Sequence, residues 1–514
     1  MAKAVMVVGT ASNVGKSVLC TAICRILYQD GYRVAPFKSQ NMSLNSAVTP
    51  SGREIGRAQA VQAVACGLQP NEHMNPVLLK PTGKDQSQVV LQGRVYDTTS
   101  ARAYYRDRLG EIWTSVVESY TYLAERYDVI VIEGAGSPVE MNLKETEIAN
   151  MRTAQMADAD VLLVADIDRG GIFASLVGTM QLLTPDERSR VKGIIVNKFR
   201  GDTTLFDDGV RLLESYTGVP VLGVIPYVDD IGIEEEDSMG IEGARYRRVS
   251  SHTSDALRVS IVQLPHISNF TDFDPLFLES GIDAAFCQTP EEIGQSHVVI
   301  LPGTKNTMDD LAWLHQTGWA AAIRAAAERG AFVFGVCGGY QMLGQAVYDP
   351  DGQESMTSVQ TGLGMLPVET TMAREKATVL VQGYAAQGEE RIRLCGYEIH
   401  MGVTTYLPEA EAFAMVQRDG EQALRPDGAI SLEGRVVGTY LHGIFDNDEF
   451  RKQWMSSVCQ AFGLNLQESA HSIADLRTAA YDRLANVVRQ HLDLRPVYAR
   501  IGQPSGVRVD GQPV

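Results

Sequence analysis

The chain has 514 residues, 45% of them hydrophobic and 21% charged, which exceeds one ordinary core, points to two or three domains and excludes a disordered or fibrous chain. A formal net charge of -18 argues against a general nucleic-acid or anionic-membrane binder, because phosphate-rich surfaces repel it. No apolar stretch is long enough to span a bilayer, and seven cysteines without CxxC spacing fit a reducing cytoplasm rather than a disulfide framework.

From the N-terminus, MAKAVMVVGT reads as a first strand running into a glycine loop, not as a secretory signal. Cys20 and Cys24, one helical turn apart after that loop, read as core packing rather than metal ligands. The strand-like runs VMVV, YRVAPF, DVIVIEG, DVLLVAD, GIIVNKF and VPVLGVIP then alternate with amphipathic stretches. This rhythm predicts a parallel sheet covered by helices over 1–228. The acid-rich passage that follows carries little apolar periodicity and reads as a connection over 229–256. Alternation restarts with LRVSIVQL, HVVILPG and AFVFGVCGG, so 257–455 is expected to form a second α/β domain. Residues 456–514 read as a helical segment ending in a loose tail.

The stretch GTASNVGKS, residues 9–17, is close to a phosphate-binding loop, but it places five residues rather than four between Gly9 and Gly15. Thr10 stands where the usual glycine would be, and Asn13 lies inside the loop. The physical requirements survive: a preceding strand, Gly15 for close backbone approach, Lys16 to reach phosphate oxygens, Ser17 to ligate magnesium, and helix amides facing the anion. Magnesium needs a further acidic ligand from another strand end, and Glu133, closing YDVIVIEGAG, is the candidate. PFKSQNMSLNSAV brings Lys38 to the same sheet edge to neutralise a transferring phosphoryl group, with Gln40, Asn41 and Asn45 as amides for substrate. Asp166, Asp168 and Arg169 in ADIDRGGIFAS are further ligand contacts, and Asn197 is placed to read the nucleotide base.

In FVFGVCGGYQMLG, Cys337 follows a strand and is crowded by Gly335, Gly338 and Gly339. Small neighbours let a strand turn abruptly into a helix and expose a nucleophile near backbone amides. A base is then required, and GTYLHGIFDN supplies His442.

The GT…VGKS loop resembles the dethiobiotin synthetase-like group of ATP-dependent carboxylate-activating enzymes. The Cys337 and His442 motifs resemble the triad-type glutamine amidotransferases, whose glycine loop matches VVILPGTKNTMDDL. That resemblance implies a thiol attacking the glutamine amide, with Gly303 and Gly338 at the oxyanion and glutamine site. The sequence departs from those enzymes at Ile444, where a glutamate normally follows the histidine. Glu398 in GYEIHMG is near in pattern only, and a Cys–His dyad is equally acceptable. Over Val5 to about Phe450 the chain looks most like the cobyric acid synthase family of cobalamin biosynthesis. The resemblance implies ATP and Mg2+ as cofactors. It also implies L-glutamine and adenosylcobyrinic acid a,c-diamide as substrates, with amidation of the b, d, e and g carboxylates through acyl phosphates. The related cobyrinic acid a,c-diamide synthases, and a non-enzymatic ATP-dependent switch of similar fold, are the alternatives. Neither a nucleic acid nor a membrane partner is expected, and oligomeric state has no signature in the sequence.

Overall fold

The computed structural model describes residues 2–82, 86–100, 104, 108–228, 231–234, 246, 256–387, 390–465 and 471–504. They form an α/β protein of two compact units: Met1–Ser43, Glu54–Glu234 and Ala474–Val514 make the first, Leu44–Arg53 and Glu235–Ile473 the second.

The sheet of the first unit contains β1 (Lys3–Gly9), β2 (Val34–Phe37), β3 (Val129–Glu133), β4 (Asp160–Asp166), β5 (Val191–Phe199) and β6 (Val221–Pro226). Its order is β6-β5-β4-β1-β3-β2, and every neighbouring pair is parallel. Continuous apolar runs such as Val5–Val8 and Val129–Ile132 are fully buried, as expected where helices cover both faces. Because the strands are parallel, Gly9, Phe37, Glu133 and Asp166 all lie at the carboxyl edge, where open α/β sheets bind ligands. Helix α1 (Lys16–Gln29) starts directly from the glycine loop, and α2 (Arg57–Ala65) lies on the same unit. The segment after Lys38 contributes Gln40–Met42 to a small sheet with Val77–Pro81, Gln86–Leu91 and Arg94–Ser100.

The helix Ile473–His491 departs from the expected partition. Ala480, Tyr481, Leu484, Ala485 and Val488 recur with a helical period and pack in one core with Val5, Val7, Leu19, Ile23 and Ile26 of the first unit. Arg25 Nε fixes the same helix through Asp482 Oδ1 at 2.7 Å. This helix is thus a structural layer of the first unit rather than a separate appendage.

In the second unit a six-stranded sheet contains β7 (Leu257–Val262), β8 (Ile282–Cys287), β9 (Val298–Leu301), β10 (Phe332–Val336) and β13 (Val436–Thr439) in the order β8-β7-β9-β10-β13, all parallel. Ala429–Ser431 closes it antiparallel. Two long strands, β11 (Val368–Gln387) and β12 (Glu390–Tyr406), pair antiparallel in a second sheet. Helix α3 (Gly338–Leu343) follows β10. Aromatic side chains fill the core, with Phe334, Phe445, Phe450 and Trp454 in mutual contact.

Most of the expected connection at 229–256 lies outside the described residues. Of its described part, Ile233 is buried in a core of the first unit and Tyr246 in the core of the second. Tyr246 packs edge-on to Phe270, Phe277 and Phe286, and its hydroxyl donates to Asp274 Oδ1 at 2.9 Å.

Candidate active sites

The loop in the first unit is shaped by two residues with left-handed backbone, Asn13 (φ 59°) and Gly15 (φ 100°). A side chain at Gly15 would place its Cβ 2.2 Å from Asn197 Nδ2, so glycine is required both by conformation and by space. Asn197 Nδ2 donates to the Val14 carbonyl at 2.8 Å, and Lys198 Nζ donates to the Asn13 carbonyl at 2.6 Å. These two side chains at the end of β5 satisfy loop carbonyls that the turn would otherwise bury unpaired. Asn197 therefore braces the loop, a contact not expected from sequence. Thr10 is joined to β4 through its amide, which donates to Val164 O at 2.9 Å. Lys16 Nζ reaches Ala11 O at 2.9 Å and Gly136 O at 3.2 Å, folding the amine over the loop.

Glu133 is the hub of this edge. Its Oε1 accepts from Ser17 Oγ at 2.9 Å and lies 2.7 Å from Lys38 Nζ, while Oε2 accepts from Gln62 Nε2 at 2.6 Å and Gln59 Nε2 at 3.4 Å. Burial raises the carboxyl's pKa, but the Lys38 charge and these hydrogen bonds outweigh it and hold the group below its ordinary range. Asn41 stands behind the hub, donating to Gln59 Oε1 at 3.1 Å. Gln40 Oε1 accepts from Tyr104 at 2.6 Å. Asn45, expected among these amides, belongs to the stretch Leu44–Arg53 that is grouped with the second unit.

Asp166 accepts from Lys198 Nζ at 3.0 Å and caps the turn by accepting from the Asp168 amide at 2.8 Å. Asp168 is paired with Arg200 at 2.7 Å, and Arg200 in turn lies over the Tyr227 ring. Arg169 is exposed. Of this group, the ion pairs bind Asp166 and Asp168 into the scaffold, a role their position in ADIDRGG did not disclose.

Gln59 and Gln62 were not expected from sequence. They are spaced three apart on a helix otherwise made of Ala, Val and Arg, so they share one face, and both are fully buried. That pattern, two amides on a small-residue helix, was the available signal. A hydroxyl and a carboxylate beside a loop lysine suit Mg2+, which takes few protein ligands and completes its shell with phosphate oxygens and water. Among the described residues no group of three His, Cys, Asp or Glu side chains forms a metal cluster.

In the second unit Cys337 closes β10 at φ 52° and ψ -107° and precedes α3. The neighbouring glycines allow this turn: a Cβ at Gly339 would lie 2.0 Å from Leu301 O, and one at Gly335 2.6 Å from Leu343. The Cys337 amide donates to Thr439 O at 2.8 Å and its thiol to Ile399 O at 3.5 Å. The charge of Cys337 is felt at His442, while the thiol's own hydrogen bond runs to Ile399 O. His442 Nδ1 lies 2.6 Å from Asp272 Oδ2, whose second oxygen accepts from the Gly443 amide at 3.1 Å. Burial alone would lower the His442 pKa; the charges of Asp272 and Cys337 outweigh it and push the imidazole up to about 10.

The acid on His442 thus comes from the turn Phe270–Phe273 after β7, far away in sequence. Ile444, at the place where a glutamate was looked for, is fully buried in the core. Glu398 serves a different cluster, accepting from Arg418 Nε at 2.8 Å and lying 3.2 Å from His400 Nε2. Gly303 borders the imidazole closely, since a Cβ there would stand 3.2 Å from His442 Cε1. Gly338 adjoins Thr304, whose methyl would be 2.6 Å from an added Cβ. Beside them Thr307 Oγ1 donates to Gln341 Oε1 at 2.8 Å, and Gln341 Nε2 to Tyr440 at 3.2 Å. A thiol, an imidazole and a buried carboxylate in series form a nucleophile, a proton carrier and its orienting group.

Two family models match the chain: an AAA domain over residues 3–235 and a CobB/CobQ-like glutamine amidotransferase domain over 258–450. Curated relatives match nearly end to end. A cobyric acid synthase of Moorella thermoacetica is 48% identical, covering 98% of each chain. Its counterpart in Syntrophobacter fumaroxidans is 49% identical, covering 98% of this chain and 99% of the relative. That of Citrobacter koseri is 46% identical over the same shares.

Proposed function

The chain belongs to the cobyric acid synthase family, and from that premise we propose that it amidates the b, d, e and g carboxylates of adenosylcobyrinic acid a,c-diamide. It is an ATP-dependent, glutamine-hydrolysing amide ligase acting in cobalamin biosynthesis. The single observation that best supports the residue roles is that one chain carries both a Ser17–Glu133–Lys38 cluster at a phosphate loop and a buried Cys337–His442–Asp272 series.

In the amidotransferase unit, Cys337 Sγ attacks the glutamine side-chain carbonyl carbon, and backbone amides around Gly303 and Gly338 receive the developing oxyanion. His442 then protonates the departing nitrogen, so that the C–N bond breaks and ammonia leaves a glutamyl thioester. His442 next takes a proton from water, which attacks the thioester, releases glutamate and returns Cys337. Asp272 keeps the imidazole in the productive tautomer and stabilises its charged form throughout.

In the ATP unit, the Gly15–Ser17 amides and Lys16 hold the triphosphate, and Asn13, Thr10 and Asn197 maintain the loop around it. Mg2+, held by Ser17 and Glu133, would neutralise phosphate charge. A substrate carboxylate oxygen attacks the terminal phosphorus to give an acyl phosphate and ADP, with Lys38 stabilising the transferring charge. Ammonia attacks the acyl carbon and phosphate leaves, an exchange hydroxide could not undergo as readily. Gln40, Asn41 and Arg169 are the polar groups available to the corrinoid's amide and carboxylate arms.

Cys337→Ala tests the division of labour. Glutamine-dependent amidation is expected to vanish while amidation with ammonium salts persists; a variant that still uses glutamine contradicts the nucleophile assignment.

A further inference from the structure

The chain leaves the first unit after Ser43 and rejoins it at Glu54, and the stretch between folds as part of the second unit. Its centre is anchored in an informative place. The Ser46 amide donates to Asn269 Oδ1 at 2.9 Å, and the Ser46 carbonyl accepts from the Tyr397 hydroxyl at 3.4 Å. Ser46 and Asn45 are both buried, and Val48 packs against Tyr397 and Ile399.

Both partners of Ser46 flank the proposed proton carrier. Asn269 has left-handed backbone at φ 52° and leads directly into the turn that carries Asp272. Tyr397 stacks on the His442 ring, with centroids 5.2 Å apart and planes 14° from parallel. The same two residues exchange backbone hydrogen bonds, His442 N to Tyr397 O at 2.9 Å and Tyr397 N to His442 O at 3.3 Å. One backbone unit of the excursion therefore fixes the base of the Asp272 turn and the outer face of the imidazole.

We propose that Asn269 and Tyr397 are positioning residues for the His442–Asp272 pair, set by their contacts with Ser46, and that this excursion ties glutamine hydrolysis to events at the ATP site. The proposal rests on the roles given above to Cys337 and His442. The link is short. Ser43 is pinned in the first unit by its amide, which donates to Leu79 O at 3.1 Å, and three residue steps of extended chain reach at most about 11 Å. Lys38, Gln40 and Asn41 lie immediately upstream, so a shift of that segment on substrate binding is passed along the backbone to Ser46. Small displacements of an acid–base pair are costly, about a hundredfold in rate for 1 Å.

The test measures glutamate release with and without ATP and the corrinoid acceptor, in the full-length enzyme and in Tyr397→Phe and Asn269→Ala. The unaltered enzyme is expected to hydrolyse glutamine faster when both are present. Each variant should lose most of that stimulation, about tenfold or more in kcat, with KM for glutamine and ammonia-dependent amidation little changed. Asn269→Asp, which keeps an acceptor for the Ser46 amide, should restore part of it. Equal stimulation in all variants, or an unaltered enzyme whose hydrolysis ignores ATP and acceptor, overturns the proposal. Failure of the unaltered enzyme to amidate with ammonia instead strikes at the ligase reading on which the proposal rests.

Discussion

Asp272 Oδ2 lies 2.6 Å from His442 Nδ1, with both side chains almost completely buried. The carboxylate reaches the imidazole from a turn after the first strand of the amidotransferase unit, so the ion pair closes across the fold rather than along a local motif. A buried carboxylate that also accepts from the Gly443 amide is held in one orientation, and it fixes the imidazole with it.

Replacing Asp272 with Asn keeps the shape but removes the charge. Glutamine-dependent kcat is expected to fall by about 10²- to 10⁴-fold, with ammonia-dependent amidation retained. Steady-state kinetics with each nitrogen source distinguishes this from unfolding.

The same pair makes stability depend on pH. The His442 proton is held up to about 10, above the ordinary value of 6.5. The contribution is therefore full below about 6.5 and is lost as pH rises through about 10. Urea unfolding of the unaltered protein should weaken across that window. Asp272→Asn should flatten the dependence and move the alkaline limb of the glutaminase profile to lower pH.

Gln62 holds the Oε2 side of Glu133 and touches no substrate in the proposed scheme. Gln62→Ala should raise the Mg2+ concentration needed for half-maximal amidation by about ten- to a hundredfold, as loss of a group that orients a metal ligand does. Glutaminase activity without ATP should be unaffected, and Mg2+ titrations of both activities provide the check.

The contrast between these residues shows where the sequence was readable. The glycine loop, Cys337 and His442 each sit in a short stretch whose chemistry is local, and the alternation of apolar runs disclosed two α/β sheets. Asp272 is brought to His442 only by the folding of β7 beside the other strands. Gln59 and Gln62 look like ordinary helix residues until α2 turns them onto Glu133. Asn197 was placed at the correct strand end, but its hold on the Val14 carbonyl was not legible, because that carbonyl's need for a donor is created by the loop's own turn. The stretch after residue 456 read as helical, but nothing in it said which core the face of Ala480, Leu484 and Val488 would join.

That helix provides a stability test. Leu484→Ala removes a side chain buried against the ATP-loop unit and should cost about 2–5 kcal/mol. Denaturant unfolding should show the loss in the transition reporting nucleotide binding, with the glutaminase unit less affected.

Gly15→Ala forces an alanine into left-handed backbone and places a methyl 2.2 Å from Asn197 Nδ2. Conformation alone costs about 1–2 kcal/mol, and the clash pushes the loop from its brace. ATP binding measured by calorimetry should be lost while glutaminase activity in the absence of ATP survives.

The most direct measurement is mass spectrometry of adenosylcobyrinic acid a,c-diamide incubated with the purified enzyme, glutamine and MgATP. Four successive amidations, each dependent on ATP and on Cys337 when glutamine is the nitrogen source, are the predicted result. An unchanged corrinoid, or amidation of cobyrinic acid in its place, would contradict the account.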